Sequence, residues 1–221
     1  MRNELKIMAV IVAVVIIGVF LGSRYYRSSV ESNRPVVPQK EGLIRDDSPT
    51  LGPADAKVTI VEFLDPECET CAVFGPIVKK IVKDNEPNVR LVIRYMPFHP
   101  SAAKAATFAE AAGEQGKYWE ALDLLFQKQP EWGERHGAPP NAPKPDVDAL
   151  FEKYAQTLGL DLDKFEAAVK ENRFAAKIER DKRDGQRLGV RKTPGFFVNG
   201  RELTRFGEAE LKALIADELK K

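Results

Sequence analysis

Cysteine is nearly absent from this chain, with two residues in 221. A disulfide scaffold is thereby excluded, and the core has to close by burying apolar side chains. Histidine is equally scarce, limited to His99 and His136, which lie far apart in sequence. A zinc site of the Cys/His type would lack its second pair of ligands. Neither sign of charge is in excess: 34 Lys and Arg stand against 33 Asp and Glu, for a formal net charge of +1. No basic stripe asks for phosphate, which speaks against nucleic-acid binding. Internal repeats and low-complexity tracts are also missing. What is present, 43% hydrophobic and 30% charged residues, is the balance of an ordinary globular chain. With the ends set aside, roughly 170 residues remain, enough for one domain to bury most of the surface its unfolded chain exposes.

The one long apolar run stands at the start. Residues 7–22, IMAVIVAVVIIGVFLG, carry no charge and are too apolar on every face for a surface helix. At about 1.5 Å per residue they reach about 24 Å, a little short of the ~30 Å bilayer core. Lys6 on one side can snorkel, and Tyr25 and Tyr26 on the other suit the interface. The expectation is a single uncleaved N-terminal transmembrane helix over residues 1–23. A cleaved signal peptide competes with it, since Arg2 and Lys6 form a basic n-region, but the run is long for one and no clean small-x-small site follows. Residues 24–50 are polar, broken by prolines and without an amphipathic period, and read as a flexible tether.

Residues 57–65, KVTIVEFLD, predict a strand buried on both faces. Cys68-Glu69-Thr70-Cys71 follows, and then Val73, Phe74, Ile77, Val78, Ile81 and Val82 recur at helical spacing. Both cysteines thus fall at a strand-to-helix junction. Residues 88–98 predict the next strand, and strand, helix, strand at these lengths implies a parallel βαβ unit. Helical periodicity then fills residues 102–112, 118–127, 147–158, 162–170 and 174–188. Between the second and third of these, residues 130–145 are rich in proline and glycine and read as a loop. Asn199-Gly200 between two apolar-containing runs signals a tight hairpin. Residues 208–219 close the chain as an amphipathic helix. The fold class is α/β.

Four features converge. Cys-x-x-Cys opens a helix after a buried strand; Glu62 precedes the first cysteine; Pro76 follows it within the helix; and KTPGFFVNG contains Thr193-Pro194. In this order they resemble the thioredoxin superfamily, and within it the DsbA-like disulfide oxidoreductases, over residues 51–221. The resemblance implies a thioredoxin fold with an inserted helical subdomain at about residues 101–188. It also implies a buried acid at Glu62, a helix kinked at Pro76, and a cis Pro194 opposite the cysteines. Thr193 would then offer its backbone to an extended substrate segment by strand addition.

The residues support that chemistry on their own terms. A thiolate at a helix N-terminus is stabilised by unpaired backbone N–H groups and the helix dipole, which makes Cys68 the expected nucleophile. Cys71, one turn on and more buried, is the expected resolving thiol. Deprotonating a buried thiol needs a base, and Glu62 in the strand beneath is assigned that role. Negative charge disfavours a thiolate, so Glu67 and Glu69 predict a Cys68 less acidic, and a pair less oxidising, than in DsbA. His99 sits either near this face or in a solvent-facing loop; His136 reads as solvated. Trp119, Leu122, Leu125 and Phe126 read as helix core, and Asp181 and Asp184 as a solvated helix face.

The expected activity is that of a membrane-anchored thiol-disulfide oxidoreductase, with its catalytic domain in the periplasm or outside the cell. It would act on cysteine-containing exported proteins as a monomer, with oxidase ahead of reductase or isomerase. No organic cofactor or metal is required. A membrane redox partner is, either a quinone-linked oxidase or a thiol-supplying transporter. The alternative is a tethered metal-handling protein that binds copper(I) through the two thiolates.

Overall fold

The computed structural model describes residues 2–32, 42–134 and 144–221; His136 lies outside them. The chain divides into two units, Met1–Val36 and Val37–Lys221. In the first, α1 (Arg2–Ser32) is a single helix that continues past Gly22, where the apolar run ends. Its apolar side chains from Ile11 to Leu21 are exposed. Among the described residues, no helix is long and apolar enough to cross a membrane.

The second unit is built on a five-stranded sheet of order β1-β3-β2-β4-β5. At its centre β2 (Val58–Leu64) is buried at all seven positions, as a continuous apolar run requires of a strand covered on both faces. It pairs in parallel with β3 (Val89–Tyr95) across the helix α2 (Glu69–Asp84), which carries Pro76 inside it. Antiparallel pairing joins β1 (Thr50–Leu51) to β3 and β4 (Gly195–Val198) to the other side of β2. β5 (Arg201–Glu202) completes the edge through a hairpin at Asn199-Gly200, both in the left-handed region, as a tight primed turn demands.

Alternation along the strands sorts the core. Val58, Ile60 and Leu64 join Val89, Leu91, Ile93 and Tyr95 in the larger cluster. That face is covered by α2, by the helical insertion and by α8 (Glu208–Leu219), which adds Leu211 and Ile215. The insertion comprises α3 (Ala102–Gly113), α4 (Tyr118–Trp132), α5 (Val147–Thr157) and α6 (Leu162–Lys170). Trp119, Leu122, Leu125 and Phe126 pack in this cluster. Helix α4 runs beyond the predicted end at residue 127 and through Pro130. Burial of Trp132, whose Nε1 donates to the Leu125 carbonyl at 3.0 Å, holds that last turn in place.

Val61, Phe63, Val92 and Phe197 point to the opposite face, where α7 (Ala175–Arg187) lies against the sheet. Gly185 makes the approach possible: a Cβ there would come within 2.9 Å of the Met96 sulfur and 3.0 Å of the Phe63 ring. Here the structure corrects two expectations. Asp181 and Asp184 are buried rather than solvated, because the buried guanidinium of Arg94 reaches them at 2.9 and 2.7 Å. The expected tether also ends early. Arg94 donates to the Gly42 and Leu43 carbonyls, Arg45 pairs with Asp184, and Leu43 is fully buried.

Candidate active site

Cys68 occupies the N-cap of α2, extended at φ −76° and ψ 121°. The turn that delivers it is organised by Asp65, at the end of β2. Its main-chain carbonyl accepts the Cys68 N–H at 3.0 Å, and its buried carboxylate accepts the Glu67 N–H at 2.8 Å. This is the local turn chemistry that a short acidic side chain ahead of a proline favours. The same carboxylate takes the N–H groups of Phe98 and His99 at 2.7 and 3.0 Å. It therefore ties the segment after β3 to the turn before the cysteine.

Cys68 is 8% exposed and Cys71 fully buried, and both are free thiols. Their acidities are driven apart. A hydrogen bond from the Cys71 thiol, offset in part by burial, and further bonds from Thr193 and the N–H groups of Cys71 and Thr70 bring Cys68 down to about 5. Burial first, then the Cys68 sulfur and the Glu62 charge, push Cys71 well above the usual thiol range. Helix N-terminal amides and a donor thiol all favour the charged form of the outer sulfur.

Glu62 lies on the sheet face beneath α2, 3% exposed, paired across the strands with Ile93 and Phe196. Burial, and secondarily the Cys68 charge, raise its carboxyl to about 8. The Thr193–Pro194 peptide is cis, and the Thr193 carbonyl lies 3.5 Å from the Cys68 sulfur as its hydrogen-bond acceptor. The structure thus brings Cys68, Cys71, Thr193 and Pro194 together, with Glu62 electrostatically coupled from below. Beside the cis-proline loop runs a groove of about 240 Å³ lined in part by Arg191, Lys192, Pro194, Leu203 and Phe206. Val73, Phe98 and Phe206 are exposed apolar side chains.

Glu67 departs from expectation. It does not stand free beside the thiol: its carboxylate is buried and accepts the N–H groups of Ser101 at 2.6 Å and Glu134 at 2.8 Å. It fastens two loops. Asp65 was missed because an acidic residue at a strand end looks like any turn former. Its only sequence signal is its place before Pro66. His99 is partly buried, with Nδ1 2.8 Å from Asp65 Oδ2. No group of three or more His, Cys, Asp or Glu among the described residues could hold a metal ion.

The family model described as Thioredoxin matches residues 45–217. The chain belongs to the thioredoxin family. Disulfide bond formation protein D of Bacillus subtilis is 30% identical over 179 residues, covering 78% of this chain and 77% of that protein. The crystal structure of oxidised BdbD from Bacillus subtilis superposes with a TM-score of 0.66 at 25% identity, over 79% of this chain and 94% of that one. A further relative, the Na(+)/H(+) antiporter NhaA 3 of Salinispora tropica, is 39% identical over 168 residues. The match spans 75% of this chain but only 23% of the antiporter's length. Within the family, the helical insertion and the position of the cysteines place this chain with the DsbA-like members.

Proposed function

We propose that this protein is a thiol-disulfide oxidoreductase that donates its Cys68–Cys71 disulfide to cysteine pairs of exported proteins. The observation that carries the reading is the pair of thiols one helical turn apart with opposed acidities, Cys68 low and Cys71 high. A substrate thiolate attacks the Cys68 sulfur of the disulfide. The Cys68–Cys71 bond breaks, a mixed disulfide forms, and Cys71 leaves as a thiolate that takes the proton held by Glu62. A second substrate thiolate then attacks its partner sulfur in the mixed disulfide. It displaces Cys68, whose low pKa makes it a good leaving group. Two electrons pass from substrate to enzyme and a substrate disulfide is released.

The name of the Bacillus subtilis relative supports this direction. The sulfurs carry the electrons, so no cofactor is needed; a membrane redox partner, such as a quinone-linked oxidase, would reoxidise the pair. Helix α1 would anchor the domain on the extracytoplasmic side of the membrane. The exposed apolar run of α1 supports anchoring, and the chemistry of the pair supports an oxidising compartment. Thr193 would pair its backbone with the substrate, and Val73, Phe98 and Phe206 would give that segment an apolar seat. Incubating the oxidised chain with a dithiol peptide tests the reading. Oxidation of the peptide with stoichiometric appearance of enzyme thiols is expected. Absence of exchange together with copper(I) binding that survives a competing chelator would favour metal handling instead.

A further inference from the structure

The dipeptide between the cysteines, Glu69-Thr70, brings no cation to the thiolate. The turn before Cys68 is tied instead to His99, a side chain that can carry one. Asp65 contacts both parties: its carbonyl accepts the Cys68 N–H at 3.0 Å, and its Oδ2 stands 2.8 Å from His99 Nδ1 while also accepting the His99 N–H at 3.0 Å. One buried residue therefore builds the turn that presents the thiol and grips the His99 ring. Asp65 is fully buried, and a buried carboxylate is most stable with a charged partner.

We propose that Asp65 and His99 form a positioning dyad in which His99, held as the imidazolium, is a counter-charge to the Cys68 thiolate that couples its own proton to the redox state of the pair. The proposal rests on the reading of Cys68 as the reactive thiol. The groups acting on His99 are Asp65, Cys68 and Glu67. Burial pulls the imidazole down, but the Asp65 hydrogen bond and charge, then the charges of Cys68 and Glu67, raise it on balance. Around Cys68 stand Cys71, Thr193, the Thr70 and Cys71 amides and the Glu62 carboxyl. Because the Cys71 thiol, Thr193 and those amides are its main supports, the share of His99 is the smaller one.

Two coupled sites shift each other equally. In the full-length chain, the two histidines make imidazole NMR titration simple to assign. His99 should titrate higher in the reduced protein than in the disulfide form, since only the former holds a thiolate. An identical His99 titration in both forms would overturn the proposal without any variant being made. Alkylation of Cys68 against pH gives the other side. His99→Gln should raise the Cys68 midpoint by a similar amount and His99→Lys should keep it near wild type. Equal midpoints for wild type and His99→Gln, or a His99→Lys midpoint equal to that of His99→Gln, would contradict the counter-charge. These readouts need no turnover, so a protein that fails to oxidise peptides yet shows the coupling would refute the proposed function alone.

Discussion

At the residue scale, the proposed function rests on three side chains pushed away from their ordinary acidities by burial and by one another. Cys68→Ser should abolish peptide oxidation. Cys71→Ser, given the peptide already in its disulfide form, should instead trap a mixed disulfide, as the Cys68 thiolate attacks one peptide sulfur and releases the other as a thiolate; equal loss with no peptide mass adduct would deny the assignment of nucleophile and resolving thiol. For Glu62 the sign is definite. Its carboxyl is raised from 4.5 to about 8 by burial and then by the Cys68 charge, so folding favours the protonated form. The stability it contributes is fully present below about 4.5 and is lost as pH rises through about 8. Wild type should therefore lose stability against Glu62→Gln between pH ~5 and ~9, by on the order of 4 kcal/mol at the upper end. A difference that stays flat across that range contradicts the assignment. Cys68, Cys71 and Glu62 were legible because spacing and an acid in an apolar strand are sequence patterns. Asp65, Glu67 and His99 were not, because their meaning lies in backbone amides supplied by residues 30 or more positions away.

At the element scale, α7 is the piece whose character reverses between sequence and structure. Its acidic residues have the pattern of a solvated face, and only the partner across the fold, Arg94 of β3, makes them interior. Periodicity along one helix cannot report a charge that arrives from another strand. Arg94→Ala leaves Asp181 and Asp184 buried without that cation and should cost about 3–5 kcal/mol in urea denaturation. A loss below ~1 kcal/mol would mean that water or rearrangement replaces the pair. The same interface depends on close approach. Gly185→Ala, which would put a methyl group against Met96 and Phe63, should cost roughly 1–3 kcal/mol by overpacking. The strand, helix, strand start and the Asn199-Gly200 hairpin were legible, since each is written in local residues. The extension of α4 through Pro130 was not, because tertiary burial of Trp132 decides it.

At the scale of the whole molecule, an apolar N-terminal helix precedes in sequence the domain that carries the two thiols. The full-length chain should sediment with membranes and be released by detergent rather than by high salt, while a variant lacking residues 2–32 should stay in the soluble fraction. Recovery of the full-length chain as a soluble protein would contradict the anchor. The fold class was open to sequence reading because the buried strand, the motif and the proline loop occur in a fixed order. The strength of the oxidant was not, because it depends on what surrounds Cys68 in space. The Cys68 thiol is held at about 5, between the ~3.5 of DsbA and the ~7 of thioredoxin. The deciding measurement is the reduction potential of the Cys68–Cys71 pair, by equilibration in glutathione buffers and trapping of free thiols. The expected value lies between the roughly −120 mV of DsbA and the roughly −270 mV of thioredoxin. A pair as reducing as thioredoxin, or one that never exchanges with glutathione, would contradict it.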